Sequence, residues 1–130
     1  CYVKWGHAYP QYLDQKALDS GNDRVVSWNW CTRKDGVSLE DLQARHQTMV
    51  EELEKDNIGL SGWVIVQPVT GGAQAPGGFV HLGIYDDVES FMEYKDAFAA
   101  GGWVNYIDYT ENYASCIGEE LYSEQILNRP

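Results

Sequence analysis

Arg24-Val-Val-Ser-Trp-Asn-Trp-Cys-Thr32, followed by the turn Lys34-Asp35-Gly36 and by Ser38-Leu-Glu-Asp-Leu42, is the stretch that decides the fold. Its first part is crowded with β-branched and aromatic side chains, which fit a pleated, half-buried surface and predict a strand. Ser38 then reads as a helix N-cap with an acid, Asp41, three residues on. Val37 and Leu42 stand where a hydrophobic staple would hold the chain's entry. Leu39, Leu42, His46, Met49, Val50 and Leu53 recur at helical spacing, while Glu51, Glu52, Glu54 and Lys55 fall on the other side. Asp56-Asn57-Ile58-Gly59 ends this helix.

Working outward, Gly62–Pro68 and Phe79–Tyr85 read as a second and third strand. They are joined by a Gly- and Pro-punctuated loop over 70–78. That loop lacks the Lys-Ser/Thr ending of a phosphate-binding loop and joins strand to strand, so phosphate binding is not its reading. Asp86 and Asp87 cap a second helix with an apolar stripe of Val88, Phe91, Met92 and Phe98, stopped by Gly101-Gly102. A Tyr-rich linker, Trp103–Tyr113, leads to a last strand, Ser115–Ile126. Upstream, residues 1–23 read as an irregular N-terminal arm with a short helix around Gln11–Leu18. Its Tyr2, Trp5, Tyr9 and Tyr12 are expected to pack on this domain or on a neighbouring subunit.

The resulting order, β-α-β-β-α-β over residues 24–127, predicts an α+β, ferredoxin-like fold with a four-stranded antiparallel sheet. Its strands are apolar on both faces: Val80, Leu82 and Ile84 oppose Phe79, His81 and Tyr85, and Val64 and Val66 oppose Trp63 and Ile65. Helices cover one face only, so the other is expected to close on a second sheet in a dimeric α/β barrel.

Composition narrows the function classes. The 130 residues are 44% hydrophobic and 13% aromatic, enough for one domain with a real core. No run approaches the roughly 20 apolar residues of a membrane-spanning helix. With 20 acidic against 9 basic residues the net charge is −11, and no basic stripe offsets it. Nucleic acid is a poor partner for such a surface. The sequence begins at Cys1, the residue that signal cleavage leaves in a bacterial lipoprotein. An exported, periplasmic or extracellular protein with a lipid on Cys1 is one expectation, and a fragment is the other.

With these elements in view, the chain resembles the dimeric α/β-barrel superfamily, which includes antibiotic-biosynthesis monooxygenase-like and NIPSNAP-like domains. The resemblance rests on residues 28–42, on Phe79–Asp86 running into a helix, and on Ser-Cys-Ile-Gly-Glu-Glu-Leu-Tyr at 115–122. That superfamily holds oxygenases, haem-degrading enzymes, isomerases, stress proteins and proteins of no known activity, so the resemblance implies a fold more than a chemistry.

Four sets of residues are candidates for function. Cys31 late in the first strand and Cys116 early in the last would be neighbours in the ferredoxin-like order, which predicts a disulfide; buried free thiols are the alternative. His46 on the apolar helix face and His81 within a strand are candidate catalytic bases, against the blander reading of hydrogen-bonded core histidines. Trp28, Trp30, Trp63 and Tyr85, with Asn29 and His81, are candidates for lining an aromatic ligand cavity, against plain core packing. Cys1 is the candidate lipidation site. No close-spaced ligand motif points to a metal, and no cofactor is expected.

Three functions follow. The first is an exported binding or accessory domain that self-associates and holds a hydrophobic small molecule. The second is a cofactor-poor oxygenase or isomerase using a buried histidine. The third is a subunit of a larger assembly or filament, joined through the N-terminal arm.

Overall fold

The structure, a computed structural model, describes residues 5–56, 59–70 and 75–127. Cys1 and Tyr2, Asn57-Ile58 and residues 71–74 of the loop therefore lie outside the described residues, and with them the lipidation expectation.

Among the described residues five strands form one antiparallel sheet: β1 (Trp5–Leu13), β2 (Asp23–Arg33), β3 (Gly62–Thr70), β4 (Phe79–Tyr85) and β5 (Ala114–Gln125), in spatial order β1-β3-β4-β2-β5. The helices are α1 (Gln15–Ser20), α2 (Leu39–Asp56), α3 (Val88–Ala97) and α4 (Trp103–Asn112). The α+β class stands, but the four-stranded ferredoxin-like sheet, and the dimeric α/β barrel built on it, do not. Two misread segments account for the difference.

The first is the N-terminal arm. Gly6 and Pro10 read as breakers, yet residues 5–13 pair antiparallel with β3, from Trp5 opposite Thr70 to Leu13 opposite Gly62. Proline is tolerated on an outer strand, where one row of N–H groups has no ladder to serve. The helix expected at Gln11–Leu18 is confined to α1, whose Asp14 caps Ala17 N–H at 3.1 Å.

The second is the linker. Gly101-Gly102 does not stop the chain's helical course. A wide turn over Phe98–Gly102, with Gly101 at φ 154°, bends it, and α4 then runs through the Tyr-rich segment.

Elsewhere local chemistry does what its residues imply. Asp41 N–H donates to Ser38 Oγ at 3.0 Å, and Ser38 N–H donates back to Asp41 Oδ2 at 3.3 Å, the reciprocal capping read from the sequence. Asp87 caps α3 by accepting from Ser90 N–H at 2.8 Å. Of the expected apolar stripes, Leu42, His46, Val50 and Phe91 are buried, whereas Leu39, Val88 and Met92 face outward.

Between sheet and helices lies the main core, which gathers Val25, Cys31, Leu42, Val50, Trp63, Ile65, Phe79, Tyr85, Phe91 and Tyr109. By strand alternation Val26, Val64 and Val80 point to the opposite side, where they are buried too. In β5 an extra residue sits opposite β2 between the pairs Asn29–Glu119 and Cys31–Cys116. Gly118, at φ 110°, occupies this bulge, a backbone setting that suits a residue without Cβ. Its N–H donates to the buried Asn29 Oδ1 at 3.1 Å, so the amide released from the ladder is satisfied.

Candidate functional site

Four polar aromatic side chains meet in the core. Trp63 on β3 and His81 on β4 point to the helix side of the sheet, and their rings stack at 5.5 Å and 19°. His46 comes down from α2 and Tyr109 from α4. Trp63 Nε1–H donates to His81 Nδ1 at 3.0 Å. His81 Nε2 and His46 Nε2 each lie 2.9 Å from the same atom, Tyr109 Oη.

Hydrogen-bond capacity fixes the protons. An indole N–H only donates, so His81 Nδ1 accepts and the ring's proton is on Nε2. That proton goes to Tyr109 Oη, whose own proton is left for His46 Nε2. The cluster is therefore a directional chain, Trp63 to His81 to Tyr109 to His46. Trp63, His46 and Tyr109 are buried, and His81 is half-buried.

Electrostatics agree with neutral rings. Burial lowers the His81 pKa from 6.5 to about 3, with the nearby His46 adding to the effect. Burial and the neighbouring Arg45 bring His46 to about 4. Burial raises Tyr109 well above the usual phenol range, against the opposing pull of Arg45. Arg45 itself is buried. Its Nε stands 3.3 Å from Asp108 Oδ2, an ion pair without hydrogen-bond alignment, and Nη2 reaches Asn105 O at 3.5 Å.

Outside this layer is a shallow, open depression of about 410 Å³ between the start of α2 and the end of α4. Among its walls are Asp41, Arg45, Asn112 and Tyr113. It touches the cluster only indirectly, through Arg45 and through Tyr113, which stacks on Tyr109 at 6.2 Å and 12°.

Cys31 and Cys116 form a disulfide across the β2–β5 pair, with Cα atoms 4.1 Å apart, slightly closer than the usual range of about 4.4–6.8 Å. Cys31 is fully buried and Cys116 half-buried. A ring nitrogen of His81 and both sulfurs lie within 4.8 Å of one another.

The structure thus brings together His46, His81 and Trp63, and separately Cys31 and Cys116. It does not bring Trp28, Trp30, Trp63 and Tyr85 around one cavity. By alternation with Cys31, Trp28 and Trp30 lie on the far side of the sheet. Tyr85 shares a face with His81 but packs on Phe91 at 5.1 Å and Tyr94 at 5.6 Å. Tyr109 was missed because its segment read as linker; the spacing of Tyr106, Tyr109 and Tyr113 is the helical signal that would have found it.

No helix among the described residues is long and apolar enough to cross a membrane. The disulfide is compatible with an oxidising compartment. No protein family, curated protein or solved structure matches the chain, so its resemblance to the dimeric α/β-barrel superfamily rests on the sequence pattern alone.

Proposed function

We propose that this protein works by association rather than catalysis, as a disulfide-stapled module of an oxidising, periplasmic or extracellular compartment that joins a second copy of itself through β1. The observation that carries the reading is the contrast between the two outer strands. Among the described residues no strand pairs with the outer edge of β1, and β1 holds no Asp, Glu, Lys or Arg. It exposes Trp5 (69%), Tyr9 (48%) and Leu13 (44%). The other outer strand, β5, carries Glu119, Glu120 and Glu124, charges of the kind that keep a sheet edge from pairing. Two β1 strands meeting antiparallel about a two-fold axis would extend the sheet and close the assembly as a dimer, with Pro10 leaving one gap in the row of N–H groups along that edge.

Sedimentation velocity and native mass spectrometry test this. The expected result is a dimer at micromolar concentration that Tyr9→Glu converts to a folded monomer. A monomeric wild type, or a dimer indifferent to Tyr9→Glu, overturns it. The same native spectrum reads any lipid on Cys1 and any hydrophobic molecule that co-purifies.

One observation favours a second reading, an isomerase or cofactor-poor oxygenase with His81 or His46 as base: the directional Trp63–His81–Tyr109–His46 chain has the form of a proton relay. It ranks second on two grounds. A general base works best with a pKa near the operating pH, and these rings sit at about 3 and 4. The depression between α2 and α4 stops at Arg45 and Tyr113.

A further inference from the structure

The disulfide has an unusual neighbour. His81 is fixed by Trp63 and Tyr109 so that one of its ring nitrogens falls within 4.8 Å of both Cys31 Sγ and Cys116 Sγ. We propose that, once the Cys31–Cys116 bond is reduced, the two thiolates and His81 form a three-ligand site for a soft divalent cation of the Zn²⁺ class.

The chemistry balances with a dithiol as reductant. Cys31 is fully buried and Cys116 half-buried, so the attacking thiolate reaches Cys116 Sγ. A mixed disulfide forms there as the bond to Cys31 Sγ breaks, and Cys31 takes a proton. The reductant's second thiol then displaces Cys116, which is released as a thiol while the reductant leaves as its own cyclic disulfide. Two electrons and two protons have passed to the protein. Zn²⁺ binding expels the two thiol protons, leaving two thiolates, one neutral imidazole and one divalent ion. The net charge is zero, which suits a site between sheet and helices.

Geometry and donor type both fit. Zn–S near 2.3 Å and Zn–N near 2.0–2.1 Å in a tetrahedron place the sulfurs about 3.8 Å apart and each sulfur about 3.6 Å from the nitrogen. The ring nitrogen therefore has only about an ångström to close from its present 4.8 Å limit. The separation between sulfurs opens by side-chain rotation across a directly paired position. His81 Nδ1 accepts from Trp63 Nε1–H and so carries the free lone pair that a metal ligand needs. Three protein ligands leave a fourth position for water; since Nε2 carries the ring proton, Nδ1 is the atom to ligate, Trp63 gives up its bond, and Tyr109 remains as the outer support.

The test uses the full chain carrying Cys1→Ser, so that the third thiol contributes nothing. The protein is reduced with a dithiol, freed of it anaerobically, and titrated with Co²⁺ and Zn²⁺. Expected are thiolate-to-cobalt charge-transfer absorption, one Zn²⁺ per chain with loss of two protons in native mass spectrometry, and no uptake by the oxidised protein. His81→Ala and Cys116→Ser should each abolish the cobalt signal, and Tyr109→Phe should weaken binding by about tenfold or more. Circular dichroism follows the fold throughout. If reduction unfolds the chain, Zn²⁺ should restore it in the Cys1→Ser protein and not in the His81→Ala variant. A reduced protein that takes up no metal, or that binds it equally without His81 or Cys116, overturns the proposal.

Discussion

Trp63 Nε1 lies 3.0 Å from His81 Nδ1 and donates to it, and this bond orders every proton behind it. The indole has one tautomer and one role, so the imidazole has no choice. Long-range ¹⁵N–¹H NMR should find the His81 proton on Nε2 and the His46 proton on Nδ1 at neutral pH. A His81 proton on Nδ1 would mean that the Trp63 bond is not made.

Tyr109→Phe removes the atom shared by both imidazoles and changes little else in shape. It leaves His81 Nε2–H and His46 Nε2 without their partner in the core. Unpaired buried polar groups of this kind cost about 1–3 kcal/mol. Urea denaturation at pH 7 should show that loss as a lower midpoint at unchanged slope. No shift in midpoint would show that water replaces the hydroxyl at no cost.

Stability should fall on mild acidification. Unfolded imidazoles titrate near 6.5, whereas in the fold His46 does so near 4 and His81 near 3. Above about pH 6.5 both states are neutral and the full stability is present. Below it the unfolded chain takes up protons that the folded rings refuse, so each ring lowers stability by about 1.4 kcal/mol per pH unit. The decline from this source ends only as the folded rings titrate near 4 and 3. Urea midpoints at pH 7.5 and 5 measure the ramp, and His46→Gln should make it shallower. A flat profile from pH 7.5 to 5 contradicts buried neutral rings.

The Cys31–Cys116 bond closes a loop across 85 residues of sequence. Loop-closure entropy alone makes such a link worth about 4–5 kcal/mol. Cys116→Ser, in metal-free buffer, should approach that loss. Amide exchange should accelerate first in β5, which among the described residues pairs with β2 alone. Exchange rising equally in β3 and β4 would show instead that the sheet opens as a unit.

The residues that announced the fold were those whose local chemistry and tertiary role coincide. Ser38 and Asp41 form the same two hydrogen bonds in the structure that their spacing implies, each backbone N–H donating to the other's side chain, and Phe79–Tyr85 is a strand to the residue. The disulfide was legible for the same reason, since pairing of the strands that flank it put Cys31 opposite Cys116. What failed were segments whose composition argues one way and whose neighbours decide another. Pro10 forbids a central strand but not an outer one, and only β3 beside it says which it is. Gly101-Gly102 has the form of a helix stop, and the local sign that α4 resumes beyond it is no more than the spacing of Tyr106, Tyr109 and Tyr113. His46 and His81 were visible one at a time. The hydroxyl that joins them was hidden inside that second error.

α4 is moored to the core by a single buried side chain. Of its residues only Tyr109 is buried; Trp103, Val104 and Ile107 face outward, and Gly101 puts a bend behind it. Lifting the helix therefore breaks the proton chain as well. The amide-exchange rates of α4 thus report on the Tyr109 hydrogen bonds together with the Arg45 contacts to Asn105 and Asp108, and the hydroxyl that gives the imidazoles their order is also the buried latch of the helix.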